Sequence, residues 1–169
     1  MKEHTITKEE VRNLYKYDKD TGELTRLIAT SNSVKASETI KGKDAYGYLQ
    51  TRIRGRYYKV HRIIWLYVFG ELPKEQIDHI NHIRDDNRLC NLREVTHQEN
   101  AKNVSMNNKN TSGVVGVRFN KGMNRWVSRI MVNQRSFWLG CYEDKEDAIN
   151  ARKEAEVKYG FHKNHGKKE

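Results

Sequence analysis

The reading of this chain turns on one stretch: Ile77-Asp78-His79-Ile80-Asn81-His82-Ile83-Arg84-Asp85-Asp86-Asn87-Arg88-Leu89-Cys90-Asn91-Leu92-Arg93-Glu94-Val95-Thr96-His97-Gln98-Glu99-Asn100. Asp78 and His79 close a short strand, and a polar loop follows. Leu92–Val95 returns as a second strand, and Thr96 is placed to cap a helix running through Asn103. The result is a compact β-β-α unit. Its geometry lets Asp78, His79 and Asn100 converge where the first strand faces the helix.

Those residue types suit phosphodiester hydrolysis. A hard cation must neutralise phosphate oxygens, and oxygen ligands hold it. A base titrating near neutrality must activate water, for which histidine is suited. A hydrogen-bonding neighbour must fix the tautomer and direction of the imidazole. Asp78 and Asn100 can supply the first, His79 the second and Asn91 the third. His97, one helical turn before Asn100, competes with it as a ligand. Asn87 and Arg88 read as loop structure and His82 as incidental, while His61 and Arg62 fit either support of the site or packing.

Upstream, residues 1–16 predict a short helix with Thr7 as cap, Glu10 as its capping-box partner, and Val11, Leu14 and Tyr15 on one face. Asp20-Thr21-Gly22 marks a turn. Residues 29–45 are irregular and receive no assignment. Leu49, Thr51 and Ile53 then alternate with Gln50, Arg52 and Arg54, Arg54-Gly55 turns, and Tyr58 and Val60 continue the apolar face of a hairpin. Between residues 51 and 62 lie five basic side chains and no acidic one. Arg52, Arg54 and Arg56 are therefore candidate phosphate contacts, although lysine and arginine also protect exposed strands. Residues 61–69 predict a helix ended by Gly70, with Pro73 redirecting the chain.

Downstream, residues 104–111 are polar and asparagine-rich, which places a linker there. Val114–Phe119, Arg125–Val132 and Arg135–Leu139 read as three antiparallel strands. A helix capped near Asp144 follows, with Ala148, Ala151, Ala155 and Tyr159 on one face. The tail over 161–169 is basic and is expected to be loose. The predicted domains are 1–103 with its β-β-α core at 77–103, the linker 104–111, a second domain at 112–160, and the tail.

Composition narrows the classes. The 169 residues carry a net charge of +10, and only 36% are hydrophobic, which suits small separately packed units and a polyanionic partner. The surplus is +5 over residues 1–73, −1 over 74–103 and +6 over 104–169, so two basic flanks surround an acid-containing centre. Cys90 and Cys141 form no paired zinc motif and no disulfide framework. No apolar run could span a bilayer and no signal-peptide core begins the chain, so an intracellular, cytoplasmic protein is expected.

Two resemblances follow from these residues. Asp78-His79-Ile80-Asn81, Asp86-Asn87-Arg88, Asn91-Leu92-Arg93 and Glu99-Asn100 resemble the HNH endonucleases of phages and group I introns, over about His61 to Asn103. The resemblance implies a ββα-metal finger that cuts or nicks DNA with one Mg²⁺ or Mn²⁺ ion, leaving 5′-phosphate and 3′-hydroxyl ends. It implies His79 as general base, Asn91 as its orienting partner, and Asp78 and Asn100 as metal ligands. Many members carry histidine at the Asn100 position, which is a departure.

Residues 112–159 resemble the APETALA2/ethylene-response-factor DNA-binding domain, through Ser112-Gly113-Val114-Val115-Gly116-Val117-Arg118, Arg125-Trp126-Val127, Trp138-Leu139-Gly140-Cys141-Tyr142 and Glu146-Asp147-Ala148. That implies a sheet lying in the DNA major groove, with a helix packed behind it and Arg118 and Trp138 at contact positions. Strand alternation adds Arg125, Val127 and Arg129 to the outer face, with Trp126, Ser128 and Ile130 inward.

The expected fold class is α+β: a basic hairpin and helix, the ββα nuclease unit, and a three-stranded antiparallel sheet on one helix. The expected activity is a free-standing phage homing-type endonuclease acting on double-stranded DNA. Neither a membrane nor a small-molecule substrate is expected, and a monomer is favoured over a dimer. The alternative is a non-catalytic, sequence-specific DNA-binding regulator with a degenerate HNH unit.

Overall fold

The structure is a computed structural model that describes residues 6–29 and 35–167. It divides into two compact units, Met1–Thr96 and His97–Glu169. The class is mixed, with small antiparallel sheets and four α-helices, as expected. No helix among the described residues is long and apolar enough to cross a membrane.

In the first unit, Thr7 caps α1 (Lys8–Leu14) by accepting a hydrogen bond from the Glu10 amide at 3.2 Å. Residues 1–5 of the expected helix lie outside the described residues. The chain leaves α1 directly into β1 (Tyr15–Tyr17), which pairs with β2 (Leu24–Arg26) around the Asp18–Gly22 turn. A second hairpin, β3 (Gln50–Ile53) and β4 (Arg56–Lys59), turns at Arg54-Gly55 as its sequence indicates. Thr51 and Ile53 are buried, while Arg52, Arg54 and Arg56 are exposed.

Helix α2 (Val60–Phe69) follows without a break and ends at Gly70, whose amide donates to Leu66 O. One apolar core joins these elements: Val11, Tyr15, Leu24, Ile53, Ile63 and Leu66 meet Ile77 and Leu92. Ile40 enters the same core from the segment the sequence left unassigned. The last hairpin, β5 (Gln76–His79) and β6 (Leu92–Val95), opposes Asp78 to Arg93 and His79 to Leu92, with a short 3₁₀ turn at Leu89–Asn91.

The second unit begins with the five-residue helix α3 (His97–Ala101). A meander follows: β7 (Val117–Asn120), β8 (Arg125–Val132) and β9 (Arg135–Tyr142). β7 starts three residues later than its apolar run suggests. Gly116 holds a left-handed φ of 81° and abuts Arg129 O so closely that any side chain would collide with it. Helix α4 (Lys145–Lys158) packs on the sheet through Ala148 and Ile149 against Val117, Val114, Trp126 and Tyr142. Asp144 stands at its N-cap but makes no side-chain capping bond.

Two expectations need correction. Val127 is fully buried rather than outward-facing; it sits between its strand partners Arg118 and Cys141. The described part of the tail, to residue 167, is not loose, because its backbone finds partners, while residues 168 and 169 lie outside the described residues. Lys167 O accepts from Met106 N–H at 3.0 Å, Gly166 N–H donates to Val104 O at 2.8 Å, and His162 N–H donates to Lys102 O at 3.0 Å.

Candidate active site

The loop between β5 and β6 carries the chemistry, and its own side chains close it. Asp86 accepts from Arg88 through both oxygens, at 2.8 and 2.6 Å, and from Asn81 Nδ2 at 2.6 Å. The Arg88 pairing holds the Asp86 carboxyl below its usual range. Asn91 ties the two ends together: its Oδ1 accepts from Asn81 N–H at 3.0 Å and its Nδ2 donates to Asp86 O at 2.8 Å. His82 turns the chain at a left-handed φ of 69°, its amide donating to His79 O. That is the conformation for which glycine would be the easier choice.

His79 ends β5 with only 4% of its surface exposed. Its Nε2 lies 3.0 Å from Asn87 Oδ1. Sequence reasoning treated Asn87 as loop and gave the imidazole to Asn91; the pairing at Nε2 goes to Asn87, through a loop conformation no local signal encodes. Around the ring stand His61 at 5.1 Å and Tyr48 at 5.8 Å between centroids. Burial pushes the pKa of His79 down, opposed by the Asn87 bond and the charge of Asp78. His61 is driven to about 3, first by burial and then by His79. Both rings are thereby favoured in the neutral form, the form in which imidazole accepts a proton.

Asp78 is buried beside it, and its Oδ2 accepts from Arg93 Nη2 and Nε at 2.7 and 2.9 Å. The strand register makes this pair, since the two residues sit directly opposite. Asn100 and His97 lie on α3, in the second unit. Among the described residues, no three His, Cys, Asp or Glu side chains gather as a metal centre.

Two cations that sequence reasoning did not bring together lie against the Tyr48 ring, which neighbours His79. Lys59 pairs with Asp44 and lies 4.3 Å from the centroid of the Tyr48 ring, while the Arg84 guanidinium lies 5.6 Å from that same ring. The periodicity around Tyr46–Val60 marks the strands, but nothing in it shows that Tyr48 reaches the histidines.

The arginines that the sequence singled out as DNA contacts are exposed. Arg54 meets Glu10 at 2.8 Å, and Arg52 stacks toward Tyr57. On the three-stranded sheet Arg118, Arg125 and Arg129 are exposed, Arg125 paired with Glu143 at 2.7 Å and Arg129 lying 5.0 Å from the centre of Trp138.

Residues 58–102 match the HNH endonuclease family. The matched segment runs from the end of β4 through α2, the β5–β6 hairpin and α3, and contains Asp78, His79, Asn87, Asn91 and Asn100. A solved structure described as "DNA binding and cleavage by the HNH homing endonuclease I-HmuI" is similar at 27% identity. The similarity covers 53% of this chain and 50% of that one, with a TM-score of 0.38. No curated protein matches. The HNH segment is therefore about a quarter of the chain, and this chain spans half the length of the solved relative.

Proposed function

We propose that this protein is a DNA endonuclease of the HNH type, hydrolysing phosphodiester bonds in double-stranded DNA with one divalent ion and with His79 as general base. The observation that carries the reading is the buried Asp78–His79 pair at the end of β5, inside the segment matched to HNH endonucleases. Burial favours the neutral ring of His79, its Nε2 pairs with Asn87 Oδ1, and the neighbouring Tyr48 ring has Lys59 and Arg84 beside it.

The donor chemistry fits a hard cation. Asp78 offers a carboxylate and Asn100 an amide oxygen, the type of ligand that suits Mg²⁺ or Mn²⁺. Such an ion, when bound, neutralises the phosphate and the leaving oxygen. The protein's own part is to bind DNA, to keep the loop closed through Asn91, and to accept a proton from water at His79. Exposed Arg52, Arg54 and Arg56 would grip phosphates from the first unit, and Arg118, Arg125, Arg129 and Trp138 would read DNA from an APETALA2-like sheet in the second. The proposed functional divisions are 1–103, 104–111, 112–160 and 161–169, and the proposed biological type is a phage homing enzyme acting as a monomer.

A second reading rests on one specific observation. Arg93 already neutralises Asp78, as it would in a DNA-binding regulator whose HNH unit no longer cuts. Supercoiled DNA incubated with Mg²⁺ or Mn²⁺ separates the two. Wild type is expected to cleave, and His79→Ala to lose about 100-fold or more in rate while still binding DNA. Wild-type protein that binds without cutting, or His79→Ala that cuts as well as wild type, would overturn the nuclease reading.

A further inference from the structure

Asn87 is the least exposed polar side chain of the loop, at 1%, and the chemistry above gives it no task. Its Oδ1 faces His79 Nε2 at 3.0 Å. An amide oxygen only accepts, so Nε2 must carry the imidazole proton, and in the neutral ring the lone pair then belongs to Nδ1. Its Nδ2 has no hydrogen-bond partner among the described residues. Leaving a buried polar group unpaired costs about 1–3 kcal/mol, which an apolar side chain would avoid. Stability therefore does not explain an asparagine here; its bond to the histidine does.

The backbone of Asn87 is also braced from a part of the chain 70 residues away. Tyr17 Oη donates to Asn87 O at 2.9 Å. Gly22, at φ 78°, comes so close that an added Cβ would stand 2.5 Å from Arg88 N and 2.8 Å from Asn87 C. Only glycine permits that approach of the β1–β2 turn. On the other side, Arg88 is clamped to Asp86, so the backbone on both flanks of Asn87 is fixed.

We infer that Asn87 is a positioning residue for the base: seated by Tyr17 and Gly22, it holds His79 as the Nε2–H tautomer and so assigns proton acceptance to Nδ1. The inference rests on the nuclease reading for its catalytic consequence, but the tautomer is measurable without it.

The test uses the full-length protein with isotope-labelled histidine. Long-range proton–nitrogen correlations are recorded at about pH 8, above the ordinary imidazole range. Wild type is expected to show His79 protonated at Nε2. Asn87→Ala is expected to mix the tautomers and to lower kcat by about 10- to 100-fold with DNA affinity unchanged. Asn87→Asp, which keeps an acceptor oxygen, should retain the tautomer. Tyr17→Phe, a milder change that leaves the loop sequence intact, should shift the same resonances in the direction of Asn87→Ala. Protonation at Nδ1 in wild type, or Asn87→Ala with unaltered tautomer and kcat, would overturn the inference. A wild-type enzyme that shows the Nε2–H tautomer but never cuts DNA would overturn the nuclease reading instead.

Discussion

His61 illustrates how a single buried side chain sets a pH dependence. Only 7% exposed, it packs edge-on against His79 and Tyr48, and Lys59, Arg62 and His79 all disfavour its charge while Asp44 favours it. Unfolded, it titrates near its ordinary 6.5; folded, near 3. Between those values the unfolded chain binds more protons, so its stabilising contribution is complete above pH 6.5 and is lost as the pH falls toward 3. His79, depressed in the same direction, adds to the effect. The urea midpoint is expected to fall from about pH 7 to about pH 4, and His61→Phe to flatten that fall. A variant with the wild-type slope would show that the acid sensitivity lies elsewhere. At this scale the strand, loop and returning strand that carry Asp78, His79 and Asn91 were legible, because their local pattern marks each of them. The Asn87–His79 and Arg93–Asp78 pairs were not legible, because they depend on loop conformation and strand register rather than on local residue type.

Elements were readable wherever a local signal ended them. Thr7 starts α1, Arg54-Gly55 turns the hairpin and Gly70 stops α2, each by chemistry confined to a few neighbouring residues. β7 escaped this, since the apolar run from Val114 gives no hint that Gly116 must pass against Arg129 of the neighbouring strand. That contact lies beside the irregularity between Ser128 and Arg129, where the register of β8 and β9 shifts. Arg129 N–H also donates to Gly116 O at 2.9 Å, so the two backbones are locked face to face. Gly116→Ala should therefore destabilise the second unit by about 1–2 kcal/mol from the left-handed backbone alone, with the collision added to it. Thermal unfolding of the full chain checks this, and an unchanged transition would show that the meander can shift to admit a methyl group. The tail was misjudged for the opposite reason. Its polarity signals exposure, but polarity does not say whether backbone amides find protein or water.

For the whole molecule, charge sits in two separate basic stretches, and the proposed grips on DNA are expected to do different work. Losing Arg52 and Arg56 together should weaken binding to all sequences alike and reduce the salt dependence of log affinity by about 0.9 per phosphate contact removed. Arg129→Ala with Trp138→Ala should instead erode the preference for the target over random DNA, while cutting of random DNA continues. Binding titrations across a salt series, on target and random duplexes, measure both. Equal loss on both duplexes from the second pair would remove the sheet from any part in sequence choice.

The pairing of residues 102–106 with 162–167 carries a consequence of another kind. It stitches the incoming and outgoing strands of chain side by side, so the sheet and helix between them form a cassette with adjacent ends. Such a piece can be spliced into a surface loop of an unrelated protein without stretching either junction. Recombination would then have an easy route for trading this piece for another.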